Sequence, residues 1–230
     1  MWSLLIPTLL ILVRTVVPES DQSDCIDEKY KIFMIVPQII PISPPDVLSD
    51  IFGDYVANFG NRIPTCATRN RPFTTWPNAN EKYLYSLIAI APDLPQFYTS
   101  TSGIQSLYGL VVNIPGADVE RGDKLAPYVP PTCVPGYGDL RFVCLIYQQQ
   151  NRISGIRQLR HRYSSNFGNF SISEFVSRYR LGNPVAGNFF RTLCYVPCKL
   201  DDICEERSCY KLSQFSNTCP ICAASESCKH

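Results

Sequence analysis

Residues 136–147 read Gly-Tyr-Gly-Asp-Leu-Arg-Phe-Val-Cys-Leu-Ile-Tyr. After the glycines, Arg141–Tyr147 is a nearly continuous apolar run with no polar alternation. A short run of this kind, bounded by turn residues, reads as a strand covered on both faces. Working outward, Leu110–Ile114, Tyr83–Ile90 and Lys31–Val36 give three more strand candidates. The chain carries 19 prolines, which favours many short strands joined by turns over long helices. One helix is nevertheless signalled. Ser171 and Glu174 form a Ser-x-x-Glu capping box. Ile172, Phe175, Val176 and Tyr179 then follow at i, i+3, i+4 and i+7, and Gly182-Asn183-Pro184 stops the helix.

Composition sets the class. Of 230 residues, 45% are hydrophobic and 18% charged, which is globular rather than disordered. Lys and Arg number 21 against 20 Asp and Glu, so no general attraction to nucleic acid or an anionic membrane follows. Leu4–Val13 is an apolar run broken by Pro7 and Thr8. It is roughly half the ~20 residues needed to span a bilayer, and residues 1–20 are expected to be a signal peptide rather than a membrane anchor.

Eleven cysteines point to an oxidising, extracellular compartment. Cys144, inside the apolar run, is expected as the odd thiol, behaving as a small hydrophobe. The expected disulfide set is Cys25, Cys66, Cys133, Cys194, Cys198, Cys204, Cys209, Cys219, Cys222 and Cys228. Beyond Pro197 few large apolar residues remain, so residues 198–230 are expected to be a disulfide-stapled tail behind a β-rich domain at 25–197.

Several blocks, in order, resemble the phosphatidylethanolamine-binding protein family. They are Ile35-Val36-Pro37 with Pro44-Pro45-x-x-Leu48; Tyr83-x-Tyr85-x-Leu87 through Pro92-Asp93-Leu94-Pro95; and Leu110-Val111-Val112-Asn113-Ile114-Pro115-Gly116. Gly136-x-Gly138-x-x-Arg141-Phe142-Val143 is similar to the family's Gly-x-Gly-x-His-Arg-Tyr-Val signature, and Phe175 through Phe189 resembles its closing helix and strand. The resemblance covers roughly residues 29–196 and implies a mostly β fold, an antiparallel β-sandwich with a few short helices.

The resemblance also implies a pocket for phosphate-like anions and lipid head groups, built from two histidines, an aspartate and glycine amides. Here those positions depart. The first Asp of the Asp-Pro-Asp motif is Ala91, with Asp93 retained; the histidine positions fall at Tyr108 and Leu140. Pro130 and Thr132 stand where the family uses glycines, and proline has no N–H. An anion needs converging donors to offset its desolvation, and most are missing. The expected ligand-binding residues are therefore Asp93, Tyr108, Leu140 and Ala91, facing an apolar or lipid ligand.

Other motifs have plainer readings. The 2 histidines are His161, in the charged stretch Arg157–Arg162 read as a solvated loop, and His230 at the C-terminus, so no Ser-His or Cys-His pair is expected. Cys219-Pro220-Ile221-Cys222 is read as structural rather than redox-active, and the cysteine cluster as disulfides rather than zinc ligands. Arg121-Gly122-Asp123 spells an integrin tripeptide, but turn chemistry explains it. Asn169-Phe170-Ser171 is a glycosylation sequon. The expectation is a secreted, non-enzymatic binding protein without cofactor, metal, nucleic acid or transmembrane anchor. Its partner is a lipid or small apolar ligand; the alternative is a protein-interaction module such as a peptidase inhibitor or extracellular regulator.

Overall fold

The apolar runs pair with one another at the centre of one sheet. The structure is a computed structural model that describes residues 19–93, 103–131, 138–164 and 167–193. Its elements are α1 (Glu19–Ile32), β1 (Asp46–Val47), β2 (Ser49–Phe52), β3 (Tyr55–Val56), β4 (Phe73–Thr75), β5 (Leu84–Ala91), β6 (Ser106–Pro115), β7 (Asp123–Ala126), β8 (Asp139–Gln149), α2 (Ile156–Tyr163), α3 (Ile172–Tyr179) and β9 (Ala186–Leu193). A six-stranded sheet runs β1-β9-β8-β5-β6-β7, and a three-stranded sheet runs β3-β2-β4. All pairings are antiparallel except β1 with β9.

Both faces of the large sheet are covered, which is why its strands do not alternate. On one face Ile88, Ile90, Leu110, Val143, Leu145 and Phe189 pack with Tyr30 of α1 and Phe175 of α3. On the other, Leu87 and Ile146 form one cluster, and Ala91, Phe142 and Phe190 join Phe52 of the small sheet in a second. The layers are therefore helices, large sheet, small sheet, as in a covered sandwich.

The strands expected at Tyr83–Ile90, Leu110–Ile114 and Arg141–Tyr147 are β5, β6 and β8. The strand expected at Lys31–Val36 is not formed. α1 runs to Ile32 and closes in a Schellman turn: Met34 takes φ 53°, its N–H donates to the Lys31 carbonyl, and the Ile35 N–H donates to that of Tyr30. Ile35, Val36, Ile39 and Ile40 are buried all the same. A run buried on every side reads alike whether it is extended or folded back as a turn.

α3 forms where the capping box places it, with the Ser171 hydroxyl accepting the Glu174 N–H at 3.3 Å. It stops earlier than Gly182, by the same turn as α1: Arg180 takes φ 51° and the Leu181 N–H donates to the Val176 carbonyl. The stretch Arg157–Arg162 is not a loop but part of α2. Ile156, Leu159 and Tyr163, at i, i+3 and i+7, pack on the core while His161 stays exposed.

The cysteine framework needs correction. No disulfide joins two of the described cysteines, and Cys66, counted among the paired set, is a thiol, as is Cys144. Of the described cysteines Cys25 alone is disulfide-bonded. Cys133, Cys194 and the tail cysteines, the signal segment at 1–18 and Thr132 lie outside the described residues. Among the described residues no helix is long and apolar enough to cross a membrane.

Candidate functional site: an apolar cluster and an intersheet cavity

Three expected site residues meet in one place. Ala91 ends β5, Tyr108 sits on β6 and Leu140 on β8, and all three belong to one buried cluster with Phe52, Ile63, Phe142 and Phe190. Tyr108 meets Phe142 edge-on at 5.0 Å between ring centroids, and Phe142 stacks on Phe190 at 5.3 Å. Leu140 is 1% exposed and Ala91 0%, so these two side chains are closed off by packing. The Tyr128 hydroxyl is committed to the Thr68 carbonyl at 2.6 Å, and burial pushes its pKa well above the usual value.

Asp93, the fourth expected residue, is held by Arg141. The guanidinium donates to both carboxylate oxygens at 2.6–3.1 Å, and the Arg141 backbone N–H adds a bond at 2.8 Å. The same guanidinium donates to the Phe33 carbonyl at 2.7 Å, tying the turn after α1 to β8. A carboxylate engaged this way is a brace between segments.

A second feature was not legible in the motifs. A cavity of about 560 Å³ lies between the two sheets. Its lining includes Phe52, Phe73 and Thr74 of the small sheet, and Leu87, Ala89, Tyr108, Gly109, Val111, Phe142 and Cys144 of the large one. The register explains it. Ala89 pairs with Gly109 on one side and with Cys144 on the other, so three small residues lie in a row across β6, β5 and β8. Larger side chains at Leu87, Val111 and Phe142 stand around that row. Small residues separated by dozens of positions reveal such a gap only once the register is known.

Beside the cavity Asp50 is 1% exposed and accepts from the Thr74 hydroxyl at 2.6 Å and from the Cys144 thiol. Burial pushes the Asp50 pKa up, with the two hydrogen bonds opposing it, and burial together with Asp50 drives the Cys144 thiol well above its usual value. Such a thiol is a poor nucleophile. Among the described residues no group of three or more His, Cys, Asp or Glu could hold a metal ion.

The Arg121-Gly122-Asp123 tripeptide has an internal explanation. A Cβ at Gly122 would come within 2.5 Å of Val111, and Asp123 accepts from Asn113 at 2.8 Å and Arg152 at 3.1 Å. Asn169 is exposed just before the α3 cap.

No family model matches the chain. It is 34% identical over 161 residues to the "26 kDa secreted antigen" of Toxocara canis, covering 69% of this chain and 60% of that protein, so it spans less than two thirds of that relative. It is 28% identical over 171 residues to the "Putative odorant-binding protein A5" of Drosophila melanogaster, covering 71% and 79%. Among solved structures it is similar to a chain of carboxypeptidase Y inhibitor complexed with the cognate proteinase, with TM-score 0.61, 18% identity and coverage of 75% of this chain and 96% of that one. It is also similar to the phosphatidylethanolamine-binding protein from Plasmodium vivax, with TM-score 0.51, 18% identity and coverage of 72% and 95%. The fold is therefore of the phosphatidylethanolamine-binding type. By their names, the proteins with a stated role are binding and inhibitor proteins, and none is called an enzyme.

Proposed function

We propose that this chain is a secreted, non-enzymatic binding protein that acts on an extracellular protein partner, as a peptidase inhibitor or regulator does. The observation that carries the reading is the correspondence with the carboxypeptidase Y inhibitor chain over 96% of its length. It is supported by the apolar packing of Ala91, Tyr108 and Leu140 where a head-group site would need donors. The name of the Toxocara relative supports secretion, with residues 1–20 as the leader, 25–197 as the binding domain, 198–230 as a cysteine-rich tail and Asn169 as a glycan site. The test is a panel of secreted peptidases that includes carboxypeptidase Y, assayed with protein purified from a secreting host. Stoichiometric inhibition of a panel member, with a complex that co-elutes in gel filtration, is expected. No inhibition and no complex across the panel would overturn the reading.

A second reading, a carrier of small apolar ligands, is favoured by the intersheet cavity and by the name of the Drosophila relative. In that reading Tyr108, which lines the cavity, is the expected site residue nearest the ligand.

A further inference from the structure

At the centre of the covered large sheet, two small side chains are not fully sealed from solvent. Along β5 and β8, Ala89 and Cys144 keep partial accessibility between buried neighbours. They are adjacent in register, and both lie on the cavity floor with Gly109. A volume of about 560 Å³ falls in the range that holds small-molecule ligands, roughly 300–1,000 Å³.

Two polar groups on the cavity wall, Thr74 and Cys144, are already committed. Thr74 donates to Asp50, and so does the Cys144 thiol, so neither hydroxyl nor thiol has a proton to offer an anion. The charged lining residues are Arg71, Asp118, Glu120 and Lys124, all exposed, and they form a rim rather than a floor. Within that rim Glu120 pairs with Arg71 and, at 3.0 Å, with Lys124. Exposed pairs of this kind contribute little and open readily. Phe73 lines the cavity with 68% of its surface exposed, so its ring is open to an apolar ligand.

We propose that the space between the two sheets, floored by Gly109, Ala89 and Cys144 and rimmed by Phe73, Arg71, Glu120 and Lys124, is a binding site for one neutral, elongated apolar molecule. The site shares Phe52, Tyr108, Phe142 and Phe190 with the cluster that holds Ala91 and Leu140, but those two side chains do not line it. It rests on the carrier reading and gives that reading its location and ligand class. A lipid head group or phosphate is not its ligand, because the cationic side chains of the lining, Arg71 and Lys124, are exposed at the rim and none lies inside to offset the desolvation of an anion.

The probe is N-phenyl-1-naphthylamine, a neutral aromatic whose fluorescence rises in apolar surroundings. The full secreted chain should bind it at micromolar concentration, 1-dodecanol should displace it, and phosphoethanolamine should not. Ala89→Leu fills the floor and should weaken the probe at least tenfold while raising the melting temperature of the unliganded protein, the opposite of what a damaged core shows. If Ala89→Leu fails to fold, Gly109→Ala stands in, since its Cβ would meet Ala89 at 3.7 Å and Tyr128 at 3.9 Å, ordinary contacts. It should weaken the probe several-fold and leave stability unchanged or higher. Probe binding untouched by both variants would overturn the site and leave the carrier reading standing. No probe binding by the natural chain would overturn both.

Discussion

Asn188 is the side chain whose removal should cost the fold most per atom. It sits on β9 at 1% exposure. Its amide donates to the Leu48 and Ala57 carbonyls, both at 2.8 Å, and its carbonyl accepts from the Phe59 N–H at 2.9 Å and the Phe189 N–H at 2.8 Å. One side chain thus satisfies four backbone groups and ties the small sheet's segments to the large sheet. Asn188→Ala leaves those groups without partners, and a buried donor or acceptor left unmade costs about 1–3 kcal/mol. A water could enter the vacated space and recover part of this. The expected loss is about 3–5 kcal/mol, a large share of the ~5–15 kcal/mol that holds a typical domain. Urea unfolding read by tryptophan fluorescence measures it, and with a slope of about 2 kcal/mol/M the midpoint should fall by roughly 2 M. A loss under about 1 kcal/mol with an unchanged slope would refute the reasoning, because it would mean that the four backbone groups find other partners without cost.

Three further outcomes follow from particular contacts. Asp50 has its folded-state pKa raised above the usual 3.8, so its contribution is fully present below that value and is lost as pH climbs through the raised one. Asp50→Asn should therefore gain on the natural chain as pH rises, and parallel urea midpoints at every pH would exclude this. Arg141→Lys keeps the charge but cannot reproduce the two-pronged contact with Asp93, and should cost about 1–2 kcal/mol by thermal unfolding, with Arg141→Ala costing more. Ser171→Ala should cost about 1 kcal/mol through the lost cap and remove any glycan at Asn169, while Ser171→Thr should preserve both, read by intact mass and melting temperature.

The strands β5, β6 and β8 were legible because each is a dense apolar run, a pattern that a two-sided burial enforces. The α3 start was legible because a cap is a local contact between Ser171 and Glu174. Features made by tertiary context were not. The turn at Met34 and Ile35 replaced an expected strand, because the residues buried by either conformation are the same. α2 was missed since its apolar stripe of Ile156, Leu159 and Tyr163 is diluted by arginines. Ala91, Tyr108 and Leu140, on three different strands, lie together in one buried cluster. The row Gly109, Ala89 and Cys144 carries no sequence signal, since its members become neighbours only through strand register. Cys66 shows the limit of counting cysteines: parity and compartment suggest how many can pair, and geometry decides which do.

The proposed function draws support from an apolar cluster around Ala91, Tyr108 and Leu140, where the family resemblance implies head-group donors. Each missing charge-assisted hydrogen bond removes about 1.5–3 kcal/mol of anion binding, so two or three together weaken it by at least roughly a hundredfold. Titration calorimetry of the full secreted chain with phosphoethanolamine tests this most directly. The account predicts no binding heat at millimolar ligand; a saturable isotherm at micromolar concentration would contradict it.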